Sequence, residues 1–566
     1  MDIAGLPLDV RVAIASYIHR QRDIVSLTRS CWALYAAAIP QLYRDLTVFE
    51  SVDVNHLIAM LSPDNGGLQH VRRLEVVAYL GGVYVYNRPN MDRLLQLMGN
   101  LLPRNILLSF IFDCSNSAQF SQALQTLYKR QRFLRTARLD AGVLSTGAIL
   151  SASIQNITLL QLQIHGPIKT DSGHDLVTSL PGLLHLEIRA NLLQYCEATN
   201  RQDNTDAQRI DASKEILTKI FGRDRFLDAE RSEANWADQG NFVMLWNSGK
   251  LNGRTKEKLK LRSLSIYQLD LEDPDRLLQV IDCSGLHSLV LQECAHSVKL
   301  LASIRPTGLP ARMSLTHLVL TANDMWPDNN PYHNALDDFL TSFSGLQHLV
   351  IHGVMEESIR PSTTAIAAHA NTLRLVFLCC RPSEENEDNS ADLEACMKQC
   401  SQLEQLALVV PPLKLDAPLA WIEETHGNSM AALAAAPSLR ALRILTVPDE
   451  EDLDFELSGD NDTGCRIFVN SAMRTYATEY LSQLPKVNAL SLADKARPVD
   501  DEIDISELPI EVKYYARSKT IDPYGKIGSI ALDMTSKEQL QDIEPVSDIF
   551  DMNPLSGRMM RYGYRA

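Results

Sequence analysis

Residues 315–320 read LTHLVL, residues 286–291 read LHSLVL and residues 346–351 read LQHLVI. The first, fourth and sixth positions of each hexamer are leucine or isoleucine. In an extended chain successive side chains point to opposite faces, so the fourth and sixth residues go to one side and the third and fifth to the other. One such strand cannot bury its leucines alone, whereas stacked copies share a continuous core.

Further copies begin at Leu261 (LRSLSI), Leu403 (LEQLAL) and Leu439 (LRALRI). Looser ones begin at Val71 (VRRLEV), Leu107 (LLSFIF), Leu134 (LRTARL), Leu159 (LLQLQI), Leu183 (LLHLEI), Leu373 (LRLVFL) and Val487 (VNALSL). Most successive starts lie 24 to 36 residues apart, room for a strand and a helix in each unit. The stretches between them agree. NMDRLLQLMGNLLP, FSQALQTLYKRQ, ALDDFLTSFSG and AMRTYATEYLSQLP place apolar residues at helical spacing and end near Pro or Gly.

This region resembles the leucine-rich-repeat family. The resemblance implies an α/β solenoid over residues 68–494, with a curved parallel sheet inside and helices outside. The Asn or Cys that the family places three residues after the last strand leucine is present only sometimes, as Cys294 and Asn323, so the arc is expected to be uneven.

Two insertions interrupt the repeats. One lies near 190–258, where Lys214 to Phe221 reads as helix and Gln194 to Gln208 as a solvated loop. The other, near 448–465, is the acidic run PDEEDLDFELSGDNDTG, which lacks the Gly and terminal Glu of an EF-hand loop and reads as solvated surface. The pattern stops after Asp494, and residues 495–566 read as a C-terminal cap or tail.

Residues 1–47 differ in kind. Val10, Ile14, Tyr17 and Ile18 form one helical stripe. Ile24, Leu27, Cys31, Leu34 and Tyr35 form a second, with Asp23 placed to cap it. Ile39, Leu42, Tyr43 and Leu46 form a third after Pro40. Three short helices bury little area between them, so apolar surface should remain for a partner or for the first repeat. The run LPLDVRVAIASYIHRQRDIVSLTRSCWALYAAAIPQLYRDL resembles the F-box family, in the form common in fungi. It matches the opening Leu6-Pro7, the apolar Val10, Ile14 and Ile18, Asp23-Ile24, Leu27 and the Cys31-Trp32 pair.

The resemblance implies a helical hook that binds the Skp adaptor, and through it a cullin, in a ubiquitin ligase complex. The motif positions are Leu6, Pro7, Val10, Ile14, Ile18, Ile24, Leu27, Cys31 and Leu34. Protein ubiquitination is then the process served. The chain would supply no catalytic residue, and the solenoid would hold a protein client. The other reading is a free-standing protein-protein interaction scaffold whose first helices merely cap it.

The outward positions of the repeat strands are the candidate client surface: Gln161, Gln163 and His165; His185, Glu187 and Arg189; Ser263, Ser265 and Tyr267; Ser288 and Gln292; His317 and Thr321; His348 and His352. His165, His185, Arg189, Tyr267, Gln292, His317, His348 and His352 stand out at its polar end. Leu375, Phe377, Ala407 and Val409 make the far end apolar. The histidines come from different repeats without a carboxylate or thiol partner, so no metal is expected. No ring of Lys and Arg calls for a phosphorylated client.

With 54 Lys+Arg against 70 Asp+Glu, the net charge of −16 disfavours nucleic acid and anionic membrane as partners. MDIAGLPLDVRV lacks a signal peptide's basic start and apolar run, and no later stretch is apolar enough to span a bilayer. An intracellular protein, cytoplasmic or nuclear, is expected. The ten cysteines show no zinc spacing, and Cys396 and Cys400 read as two core thiols. No phosphate loop, GxSxG, HExxH or kinase motif is present. Neither an enzyme nor a cofactor is expected.

Overall fold

The structure is a computed structural model that describes residues 3–18, 21–49, 65–77, 88–113, 121–140, 156–164, 180, 182–190, 192, 206–221, 258–304, 313–322, 334–353, 361–379, 390–411, 413–415, 418–446, 462–492, 512–521, 524–525, 527–546 and 548–552. It is a mixed α/β protein whose strands are mostly parallel. Two compact units divide the chain: Met1–Leu264 with Arg276–Asp282, and Ser265–Asp275 with Cys283–Ala566.

The first unit opens with α1 (Leu8–Ser16), α2 (Gln21–Ser30) and α3 (Trp32–Arg44). Strands β1 (Asp45–Phe49), β2 (Arg73–Val77), β3 (Ser109–Asp113), β4 (Thr136–Asp140), β5 (Leu159–Ile164) and β6 (His185–Ala190) follow, each parallel to the one before. Helix α4 (Arg88–Leu101) packs on α5 (Ser121–Arg130), and α6 (Asp206–Phe221) lies in the first insertion. Strand β7 (Ser263–Tyr267) and helix α7 (Pro274–Val280) straddle the division.

The second unit holds β8 (Ser288–Gln292), α8 (Ser297–Ile304), β9 (His317–Ala322), α9 (Ala335–Thr341), β10 (His348–Gly353), α10 (Thr363–Ala367), β11 (Leu375–Cys379), α11 (Ser390–Gln399) and β12 (Gln405–Leu408). Next come α12 (Leu419–Ala434), β13 (Ala441–Ile444), α13 (Asp462–Gln483), β14 (Ala489–Leu492), β15 (Lys513–Ile521), β16 (Ile527–Met534) and α14 (Lys537–Ile543). Strands β8 to β14 are parallel and in chain order, and β14, β15 and β16 are antiparallel neighbours.

Every one of the thirteen hexamers forms a strand, and the register explains their spelling. The fourth residues Leu74, Phe110, Ala137 and Leu186 align in the first unit, with Leu160, the second residue of LLQLQI, between Ala137 and Leu186 in the same row. In the second they align as Leu289, Leu318, Leu349, Val376, Leu406, Leu442 and Leu490. All are buried, and each leucine, valine or phenylalanine among them contributes about 1.5–3 kcal/mol relative to exposure.

Just before most of the parallel strands one carbonyl accepts two main-chain hydrogen bonds from the strand that follows. Arg72 O accepts from Leu108 and Ser109, and Gln347 O from Arg374 and Leu375. Those rungs leave few main-chain groups unpaired at the strand entries. Cys294, three residues after Leu291, directs its buried Sγ at Ile266 O and Gln292 O, each at 3.4 Å.

Several expectations need correction. Residues 1–47 are not helices alone: α3 runs directly into β1, which contains Leu46 of the third stripe and pairs with β2. The second stripe does not continue through Cys31 to Leu34 and Tyr35. The helix ends at Ser30, Cys31 adopts an extended conformation as the N-cap of α3, and Pro40 lies inside α3. Asp23 sits within the first turn of α2 rather than at its cap. In the first insertion, helix begins at Asp206, inside the stretch read as loop. Residues 222–257 and 447–461 lie outside the described residues.

Candidate functional site

The N-terminal helices have a small interior. Ala15, Ile24 and Ala38 form it, with Ile18, Leu27 and Leu42 packed around them. Alanine at Ala15, Ala37 and Ala38, all fully buried, lets α1 approach α3 closely, and Arg11 Nη1 ties the two helices by donating to Ala33 O at 2.6 Å. The first stripe is divided: Ile18 packs on this interior, whereas Val10 is 40 % and Ile14 37 % exposed, and Tyr17 80 %. Ile3, Leu8 and Val12 are exposed as well. Trp32, 78 % exposed, stacks on Tyr35 with ring centroids 5.2 Å apart.

The structure thus sorts the nine motif positions. Ile18, Ile24 and Leu27 hold the helices together; Pro7, Val10, Ile14 and Cys31 face solvent; Leu6 and Leu34 are half-buried. Helices this short leave such a surface because their interior, three alanines and Ile24 with Ile18, Leu27 and Leu42 around them, has room for few large side chains.

The second candidate surface is the sheet face opposite the helices. In the first unit it is a polar ladder. Arg138 Nε donates to Gln161 Oε1 at 2.8 Å, Gln161 Nε2 donates to Glu187 Oε2 at 2.7 Å, and Glu187 pairs with Arg189. His185 is half-buried there, its pKa lowered by burial and by Arg262. His165 lies outside the described residues.

In the second unit His317 and His348 occupy matching register positions with ring centroids 4.3 Å apart. Burial lowers the pKa of His317, with His287 adding to it. Burial pushes His348 down to about 4, aided by His317 and Arg374. Both imidazoles are therefore uncharged at neutral pH.

Tyr267, Gln292, His352 and Phe377, expected on an open face, are buried instead, as are Gln163, Ser263, Ser265, Thr321, Leu375 and Ala407. For Phe377 the reason is plain. The chain's own C-terminal segment lies over this end of the face. Leu540 of α14, together with Ile549, Phe550 and Met552 in and after the 3-10 turn Asp548–Asp551, packs on Val350, Leu375, Phe377, Cys379, Ala407, Ala441, Ala489 and Ala516. The apolar end assigned to a client is covered by residues 540–552.

Polar anchors accompany it. Arg443, 5 % exposed, donates from Nη1 to Ile549 O at 2.6 Å and Met552 O at 2.5 Å, with its guanidinium over the Phe377 ring. Gln405 Oε1 accepts from Ile549 N at 2.8 Å, and Asn488 Nδ2 donates to Glu544 Oε2 at 2.9 Å. Sequence reasoning missed Arg443, Gln405 and the segment they hold. The legible signals were an arginine at an outward position of LRALRI and alanines at outward positions of β12, β13 and β14, where earlier strands carry larger side chains.

Cys396 and Cys400 are buried free thiols, and the hydrogen bond between them together with burial pushes Cys400 up. Among the described residues no group of three or more His, Cys, Asp or Glu is placed to hold a metal, and no helix is long and apolar enough to cross a membrane. No family model and no curated protein matches the chain.

Proposed function

We propose that the chain is the substrate-recognition subunit of a Skp-cullin-F-box type ubiquitin ligase. The N-terminal helices dock on the Skp adaptor, and the repeat strands and their covering elements hold a protein client. The chain contributes position rather than chemistry, raising the client's effective concentration at the ubiquitin-loaded enzyme. The observation that supports this best is the outward apolar surface of Val10, Val12, Ile14 and Trp32 on helices whose interior is already filled by Ala15, Ile24 and Ala38. A pure cap would turn such residues toward the first repeat.

One observation favours the second reading, a free-standing scaffold with no ligase link. Helix α3 is continuous with β1, and Tyr43 packs face-on against Gly67 just before β2. The helices are thus joined to the repeats as a cap would be.

Co-purification of the full chain with recombinant Skp adaptor separates the readings. The ligase reading expects the native chain to retain the adaptor and the folded double variant Val10→Asp/Ile14→Asp to lose it. Failure of the folded native chain to bind would leave the scaffold.

A further inference from the structure

The outward row of the second unit runs Val290, Val319, Val350, Phe377, Ala407, Arg443, Ser491, Tyr514. A neighbouring row runs Ser288, His317, His348, Leu375, Gln405, Ala441, Ala489, Ala516. The first begins with the buried Val290 and the second with the half-buried Ser288, and both end under the C-terminal segment. In the second row the side chains shrink to alanine at Ala441, Ala489 and Ala516, and with Ala407 of the first row these make a shallow floor where another backbone can approach the sheet. The floor is occupied by Ile549 and Phe550 on a single 3-10 turn.

Three features describe how that turn is held. Arg443 and Gln405 bind main-chain atoms, the carbonyls of Ile549 and Met552 and the N–H of Ile549. Recognition of this kind reads a backbone shape plus pockets for a few side chains, and it transfers to any segment with the same turn. The segment also has its own internal struts: Lys537 pairs with Asp551 at 2.6 Å and Gln541 Nε2 donates to Asp551 Oδ2 at 2.7 Å. Such struts let it leave the sheet as one unit. Finally, the segment packs on outward-facing positions of the strands, so opening leaves the leucine rows on the other face undisturbed.

We propose that α14 and the turn Asp548–Asp551 are a displaceable internal ligand. The site beneath them, formed by Phe377, Gln405, Ala407, Ala441 and Arg443, takes a protein segment that presents two adjacent apolar side chains on one 3-10 turn with carbonyl oxygens facing Arg443. A partner with that chemistry competes with the chain's own segment, so the site is closed until the partner is present. The proposal deepens the client-carrying reading of the repeats and rests on it, but it does not involve the adaptor.

The test uses the full chain and a fluorescent peptide with the sequence of residues 537–552. Three proteins are compared: native, Ile549→Asp/Phe550→Asp, and that double variant with Arg443→Gln added. The expected result is peptide binding by the double variant at least tenfold tighter than by the native chain, lost again when Arg443 is replaced. A folded double variant that binds no better than the native chain overturns the proposal, as does binding indifferent to Arg443.

Should the double variant not fold, hydrogen exchange on the native chain decides. Amides of 540–552 exchanging well ahead of those in β12 and β13 support a displaceable segment, and exchange in step with those strands overturns it. Failure to retain the adaptor in the co-purification above leaves all of these readouts unchanged, so the two proposals fail separately.

Discussion

Arg443 donates to the carbonyl oxygen of Ile549 across 106 positions of chain at 2.6 Å, and the same Nη1 reaches Met552 O. A guanidinium this deeply buried is held by directed hydrogen bonds, and removing it leaves two carbonyl oxygens without their donor. Arg443→Met should therefore destabilise the closed segment by about 1–3 kcal/mol. Limited proteolysis should cut residues 537–552 faster in the variant, with the repeats resistant as before. Equal cleavage of both proteins would mean that the hydrogen bonds do not hold the segment.

Gly67 sets the distance between the N-terminal helices and the first repeats. A Cβ added there would lie 2.6 Å from the Tyr43 ring, and Asn65 bridges the two by accepting from Gly67 N and donating to Tyr43 Oη. Gly67→Ala should cost about 1–3 kcal/mol through forced repacking. The double variant Gly67→Ala/Tyr43→Leu should recover part of that cost. Chemical denaturation of the four proteins checks the cycle, and independence of the two sites would show that the contact is slack.

Gln131 clamps a loop with all of its side chain. Its Oε1 accepts from Ile106 N at 3.0 Å and Leu107 N at 3.1 Å, and its Nε2 donates to Pro103 O at 2.8 Å. Gln131→Leu keeps most of the volume and strands these three main-chain groups, each at about 1–3 kcal/mol if left unpaired. A large fall in denaturation midpoint is expected, and one no larger than that of an exposed Gln69→Leu control would show that water replaces the clamp.

Burial pushes His369 down to about 4, as it does His348 with added help from His317 and Arg374. Leu346 N donates to His369 Nδ1, which requires that nitrogen to be unprotonated. Each folded-state pKa lies below the unfolded value of 6.5, so the unfolded chain binds protons first as pH falls. Their stabilising effect is complete above about pH 6.5 and is lost progressively down to about pH 4. Urea midpoints between pH 7.5 and 4.5 should decline, and His369→Gln should decline less steeply over that range. Parallel slopes would remove His369 from the account.

On the N-terminal surface, Val10→Asp should leave the denaturation midpoint nearly unchanged because Val10 already faces solvent, whereas Ala15→Asp or Ile24→Asp should unfold the helices by burying an unpaired charge. Circular dichroism of the three variants checks this, and equal losses would place Val10 inside.

The sequence by itself determined the strands and their facing. The leucine spacing of hexamers such as LTHLVL fixes which residues go to the helix side, because a period of two is local and needs no knowledge of neighbours. It also marked the helices between the strands, and the apolar richness of residues 1–47. It could not say which apolar residues of those helices turn inward. Ala15 took that place instead of Val10 or Ile14, since close helix approach selects small side chains that carry little hydrophobic signal. Nor did it show that β1 follows α3 without a break.

Only the tertiary structure decided what covers the other side of the strands. Phe377 and Arg443 look from the sequence like exposed positions of an amphipathic strand, and local periodicity has no term for a segment arriving from residues 540–552. That contact joins positions over a hundred residues apart, so nothing in the neighbourhood of either one encodes it. The open face became a closed one through the chain's own return, which only a folded sheet could receive.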